Sequence, residues 1–173
     1  MSGGKTHVAL LGFMAAGKST IGKRVARELG LNFVDTDELI VARHGPIHEI
    51  FARDGEARFR EHEFQVVREA LDGPPAVVAL GGGAVTYEPT RGLVAERMLR
   101  VFIDVPESKL LARLSRSRAV RPMLGATLDA ARVRALLERR RPLYREAEIV
   151  VDGGRRSQSA LAREIAALVL EAP

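Results

Sequence analysis

The sequence predicts an α/β protein, a five-stranded parallel sheet flanked by helices. Three observations lead there. Short continuous apolar runs such as "HVALL" and "PAVVAL" alternate with stretches of helical spacing, the pattern of strands buried on both faces. Those runs end in "GFMAAGKST", "DTD", "GGG" and "DVP", and ligands bind beyond the carboxyl ends of parallel strands. A length of 173 residues without an internal repeat or a long linker suits one domain, residues 1–173.

The elements follow in order. "HVALL" (7–11) is the first strand. Ile21, Val25 and Leu29 repeat at helical spacing, and Gly30 closes that helix. "NFVDTD" is a second short strand ending in acids. Helical stretches run through "DELIVARHG" and "GEARFREHEFQVVREAL", and "PAVVALGGG" is a strand running into three glycines. "RMLRVFIDV" is the fourth strand, with Pro106 opening the helix "PESKLLARL". A loop from about Ser115 to Thr127 leads to the helix "LDAARVRALLERR", after which Pro142 should fix a local turn. "AEIVVDGG" is the fifth strand, and Leu161, Ile165, Leu168 and Val169 mark the last helix.

Composition narrows the function. Cysteine is absent, which excludes disulfides and thiolate chemistry and suits a reducing cytoplasm. No apolar run reaches the ~20 residues of a membrane-spanning helix, so no membrane partner is expected. The net charge of +5 is uneven: Arg113 to Arg145 holds ten arginines against Asp129 and Glu138. That block calls for an anion, and guanidinium suits carboxylate and phosphate. Lys5 and "VALLGFMAA" mimic a secretion signal, but Lys18 and a helical pattern follow at once, with no cleavage signal clear of that pattern.

Gly12, Gly17, Lys18 and Ser19 satisfy G-x-x-x-x-G-K-[ST] between a strand and a helix, the setting that identifies a phosphate-binding loop. Glycines let main-chain N–H groups turn inward, and the helix adds its positive end. Ala15, Ala16, Gly17, Lys18, Ser19 and Thr20 then surround the phosphates of ATP as co-substrate. Lys18 reaches the β- and γ-phosphates, and the Ser19 hydroxyl ligates Mg²⁺. A GTPase would carry an Asn-Lys-x-Asp segment, which is missing. The Arg-rich loop looks instead like the lid of a small-molecule kinase.

The pieces "GFMAAGKSTIGKRVARELG", "FVDTDELI", "IHEIFARDGEARFREHE", "ALGGGAVT", "RPML" and "RRRPLYREA" carry a family pattern. In order and spacing the sequence resembles shikimate kinase over nearly its whole length. "DTD" followed by "F-R-x-x-E" and "GGG" separates it from adenylate, cytidylate and gluconate kinases. The resemblance implies a P-loop NTPase fold of the nucleoside-monophosphate-kinase type with a lid loop at about 115–128. It also implies substrate-binding helices at about 37–71. The implied activity is transfer of ATP's γ-phosphate to the 3-hydroxyl of shikimate, a step towards chorismate and aromatic amino acids.

Residue by residue, the resemblance makes Asp37 the group that binds the acceptor hydroxyls. There it could orient or deprotonate the attacking one. Asp35, on the same side of an extended segment, is placed to hold Mg²⁺ through water. A capping role competes, since Thr36 or Asp37 would cap "ELIVARHG" well. Arg60 and Arg140 match the arginines that grip the shikimate carboxylate, although Glu56 and Glu63 offer Arg60 ordinary surface ion pairs. Gly82, between Gly81 and Gly83, matches a substrate donor; a tight turn is the plain alternative. Arg121 matches the lid arginine that swings over the phosphates.

One departure stands out. Where the family places an adenine-stacking arginine, this chain has Leu114, with Arg113 one place earlier. Arg156 in "VDGGRR" matches the second adenine loop. His7, His44, His48 and His62 show no metal spacing and read as structural. The alternatives are a gluconate-like kinase and a nucleic-acid-binding P-loop protein, the latter opposed by few aromatics to stack bases. The expected partners are therefore ATP and shikimate, without nucleic acid, and a monomer is expected.

Overall fold

The computed structural model describes residues 5–117, 119, 121–125 and 127–173. β1 (His7–Leu11) is buried at every position because it forms the centre of the sheet. The apolar run that mimicked a secretion signal is this strand. β2 (Asn32–Asp35), β3 (Ala76–Ala79), β4 (Met98–Asp104) and β5 (Ile149–Asp152) complete a parallel sheet in the order β2-β3-β1-β4-β5. The chain leaves β1 for the β2 edge, returns through β3, and crosses β1 to reach β4. Crevices therefore open beyond the carboxyl end of β1, where ligand loops can converge.

α1 (Lys18–Leu29) begins at the phosphate loop and ends at Gly30, whose φ of 66° only glycine adopts freely. α2 (Thr36–His44) is capped by Asp35, whose Oδ1 accepts from the N–H groups of Asp37 and Glu38. Neither Thr36 nor Asp37 is the cap, because both already lie within the first turn. α3 (Ile47–Asp72) starts earlier than expected and breaks at Gly55, at φ 82° and ψ 171°. The extra segment before Gly55 buries Ile50, with Ile47 and Phe51 packed beside it at helical spacing.

α4 (Glu88–Arg97) is an element the sequence pattern did not suggest; it buries only Thr90 and Val94, too little for a periodic signal. α5 (Glu107–Arg116) follows β4, so the first residues of the expected lid are helical and Pro122–Leu124 forms a 3-10 turn. Within that lid, Arg118, Val120 and Ala126 lie outside the described residues. α6 (Ala130–Tyr144) contains Pro142 rather than ending before it. The proline sits in the last turn, where the N–H it lacks costs one bond and the helix has little further to run. α7 (Gln158–Glu171) completes the fold, and among the described residues no helix is long and apolar enough to cross a membrane.

Two apolar clusters result. The larger surrounds the sheet, from Val8 and Leu10 to Ile103 and Ile165. The smaller, Ile40, Ile50, Phe59 and Val66, lies between α2 and α3.

Candidate active site

The phosphate loop is shaped by its main chain. Gly12 has φ 156° with the Ile103 carbonyl 3.1 Å from where a Cβ would sit, so a side chain there has no room. Ala15, at φ 64°, is the sole non-glycine with positive φ among the described residues. Ala16 is buried, while Thr20 is exposed on the first turn of α1. Lys18 Nζ donates to the carbonyls of Gly12 (2.8 Å) and Phe13 (2.9 Å). Desolvation in this loop lowers its pKa to about 8, against the opposing pull of Asp37 and Asp35.

Ser19 Oγ donates to Asp35 Oδ2 at 2.5 Å. Because the other carboxylate oxygen is fixed by capping α2, Oδ2 is held at the foot of the loop. A hydroxyl and a carboxylate oxygen side by side suit Mg²⁺, which keeps several waters and takes its remaining ligands from phosphate. Among the described residues no group of three acidic, His or Cys side chains can hold a metal unaided. This donor set therefore fits a metal arriving with a nucleotide.

The cavity beside the phosphate loop is built from charged side chains that folding buries. Met14, Asp37, Arg60, Glu63, Gly81, Gly82, Gly83, Arg121 and Arg140 line one cavity of about 150 Å³, with Ile47, Phe51, Phe59, Pro122 and Met123 as its apolar wall. A Cβ on Gly83 would collide with Arg60 Nη2 and lie 2.9 Å from Arg140 Nη2, so both guanidinium groups converge on one spot. A Cβ on Gly81 would collide with Glu63 Oε1 and lie 2.8 Å from Asp37 Oδ1. Two acidic oxygens thus face the opposite end of the same turn. Gly82 faces the phosphate loop, 3.1 Å from the Met14 nitrogen by the same measure.

The cations rest on aromatic rings, Arg60 on Phe59 at 5.2 Å and Arg140 on Phe13 at 5.9 Å. Arg60 does pair with Glu63 (2.7 Å) and Glu56 (3.2 Å), but Arg60 and Glu63 are 5% and 0% exposed. The first pair is a buried one, not the surface pair that helix spacing suggested. Asp37 Oδ1, Glu63 Oε1, Arg60 Nε and Arg140 Nε are buried without a hydrogen-bond partner among the described residues. Burial raises the Asp37 carboxyl above its ordinary value, and pushes Glu63 up to about 7 despite the nearby Arg60.

The remaining candidates sit elsewhere. Arg121 lines the cavity rim and donates to Ser117 Oγ (3.1 Å) and the Ala119 carbonyl (3.3 Å). Leu114 is in the core and Arg113 reaches the phosphate loop, donating to the Ala15 carbonyl at 3.0 Å. Arg113 thus lies beside the phosphate loop with the rest of its side chain exposed. Arg156 pairs with Glu164 of α7 at 2.8 Å, outside the acceptor cavity.

Three residues escaped the sequence reading as parts of this site. Glu63 was weighed only as an ion-pair partner. Thr36 accepts from the Gly81 N–H at 3.1 Å and is fully buried, fixing the glycine turn to α2. Tyr144 donates to the Gly82 carbonyl, and burial pushes its hydroxyl up to about 12 against the pull of the nearby Arg140. The signals were present in "F-R-x-x-E", "DTD" and "R-x-P-L-Y". Spacing alone could not say that they meet.

The chain matches the family model described as "Shikimate kinase" over residues 14–170. The shikimate kinase of Mycobacterium avium is 44% identical over 158 residues, covering 90% of this chain and 89% of that one. That of Nitrobacter winogradskyi is 44% identical over 145 residues, covering 83% and 67%. A solved shikimate kinase of Acinetobacter baumannii, in complex with shikimate, superposes with a TM-score of 0.89 at 35% identity, covering 95% of this chain and 93% of that one. Neither the gluconate nor the nucleic-acid alternative is favoured beside these likenesses. With the strand order, the phosphate loop and the family match in agreement, this chain belongs to the shikimate kinase family.

Proposed function

We propose the following division of labour for the phosphorylation of shikimate by this kinase. The phosphate loop from Ala15 to Thr20 cradles the triphosphate of ATP, with Lys18 leaving its loop carbonyls for the β- and γ-phosphates. Mg²⁺, when bound, supplies countercharge to those phosphates, and Ser19 Oγ and Asp35 Oδ2 are the groups that would hold it. Arg60 and Arg140 clamp the shikimate carboxylate. Asp37 accepts the proton of the 3-hydroxyl as that oxygen bonds to the γ-phosphorus and the bond to the ADP oxygen breaks. Its burial favours this, since a raised pKa makes a better base. The Gly81–Gly83 turn places its main chain along the acceptor. Arg121, poised at the rim, covers the transferring phosphoryl and limits loss to water. Arg156 borders the adenine end. The protein is expected to act as a cytoplasmic monomer, which light scattering on a sizing column would check for mass.

One observation carries this reading. Two guanidinium groups converge at one end of a short glycine turn, two carboxyl oxygens at the other, and the loop lysine lies alongside. A small acid with hydroxyls across its ring meets both ends at once. The test is ADP release measured with shikimate, quinate, gluconate and nucleoside monophosphates. Shikimate should exceed the others in kcat/KM by about 100-fold or more. Equal turnover of a nucleoside monophosphate, which has no carboxylate, would remove the carboxylate clamp from the scheme.

A further inference from the structure

The Gly81–Gly83 turn is held by hydroxyl groups from separate parts of the chain. Thr36 Oγ1 of α2 accepts from the Gly81 N–H at 3.1 Å and donates to the Ala79 carbonyl at 3.3 Å. Thr86 Oγ1 donates to the Gly83 carbonyl at 2.6 Å. Tyr144, the last residue of α6, donates to the Gly82 carbonyl. The main chain supplies the rest: the Ala84 N–H bonds the Gly81 carbonyl and the Thr86 N–H the Gly83 carbonyl, each at 3.0 Å. Every carbonyl of the turn is therefore satisfied, and among the described residues that of Gly82 accepts from Tyr144 alone. Among the same residues the N–H groups of Gly82 and Gly83 donate to nothing.

Tyr144 is placed for its bond by its surroundings. It is 1% exposed, and its ring packs on Phe102 of β4 with centroids 5.2 Å apart. With its hydroxyl pushed up to about 12, it stays a donor at any working pH. Arg140 lies one helical turn earlier on the same face of α6, its Nη2 2.9 Å from a would-be Gly83 Cβ. One helix thus brings a guanidinium and a hydroxyl to neighbouring residues of one turn. Glycine peptides rotate at low cost, and a carbonyl swung towards an anion would repel it. Tyr144 itself does not line the cavity, so it can act only through the turn. Resting on the carboxylate clamp described above, we propose that Tyr144 is a positioning residue for the acceptor. It pins the Gly82 carbonyl and so keeps the N–H groups of Gly82 and Gly83 available to a carboxylate beside Arg140.

Tyr144→Phe keeps the ring against Phe102 and removes only the hydroxyl. Steady-state kinetics should show KM for shikimate raised about tenfold, with kcat and ADP affinity within about twofold. The methyl ester of shikimate, with the same hydroxyls and no anion, separates positioning from a general loosening. Its kcat/KM should fall less than about threefold in the variant, so the preference for acid over ester shrinks. Thr86→Val should leave KM for shikimate within about twofold, because the Gly83 carbonyl keeps its main-chain donor. An unchanged KM in Tyr144→Phe, equal losses for acid and ester, or a comparable rise in Thr86→Val would each overturn the proposal. Should Tyr144→Phe not fold unaided, saturating ADP, which stabilises the folded chain, keeps the same comparison measurable. A wild-type chain with no preference for shikimate over its ester would instead remove the carboxylate clamp, and this proposal with it.

Discussion

In the proposed scheme the phosphate loop holds its anion with main-chain N–H groups and one lysine, all within residues 12–20. The neighbouring pocket instead gathers charged side chains from α2, α3 and α6 around the glycine turn after β3. Main-chain dipoles are fixed in place when the loop folds, so the cradle is ready at little electrostatic cost. That pocket buries Arg60, Glu63 and Arg140 and, among the described residues, leaves acidic and guanidinium atoms without partners. Each such atom is unfavourable until something pairs with it. The difference shows two ways of preparing an anion site. One uses backbone shape; the other stores unmet charge for the ligand to satisfy. The pocket leans on both apolar clusters, on the small one through Phe59 and on the sheet core through Phe13 beneath Arg140.

That contrast can be broken at several points. The largest effect should come from the rim, where Arg121 belongs to neither device. Arg121→Ala should lower kcat by about 10³-fold while leaving KM for shikimate within threefold, read from steady-state kinetics. A change confined to KM would move Arg121 into the ground-state clamp. Next, Arg140→Ala should raise KM for shikimate about 100-fold and leave ADP affinity unchanged, because it empties half of the clamp and removes no hydrogen bond of Lys18 within the loop. Coupled losses of both ligands would mean that the two regions are not separable.

The smallest effect reports the cost of buried charge directly. The folded pKa of Glu63 is about 7, above its ordinary 4.5, so the folded state binds the extra proton between those values. The contribution of Glu63 to stability is therefore present below 4.5 and lost as pH rises towards 7. Glu63→Gln does not titrate. In the substrate-free protein its melting temperature should gain on the wild type by roughly 7 °C across that interval and then stay level. A constant difference at every pH would show that Glu63 is fully satisfied and that the pocket holds no unmet acidic charge.

The sequence reached different depths in the two regions. The phosphate loop was legible because its function is local: Gly12, Gly17, Lys18 and Ser19 sit in one stretch between a strand and a helix. β1 and β3 were legible because each is a continuous apolar run buried at every position, while the edge strands β2 and β5 are only partly buried. α4 was not, since Thr90 and Val94 alone face inward, and Pro142 misled because a proline in a last turn ends little. The surface reading of the Arg60–Glu63 pair failed for another reason. Helix spacing gives the neighbour but not the burial, and here the face that holds the pair is roofed by the glycine turn.

By itself, the order of residues determined the alternation of strands and helices, the phosphate loop, and the family pattern, because each depends on neighbours along the chain. Tertiary structure alone decided which charges are buried and which face each other. Asp37 and Glu63 meet across Gly81, Arg60 and Arg140 across Gly83, and Arg113 turns to Ala15 because Leu114 is claimed by the core. Burial and convergence depend on distances through space between segments far apart in sequence, and local spacing carries no measure of them.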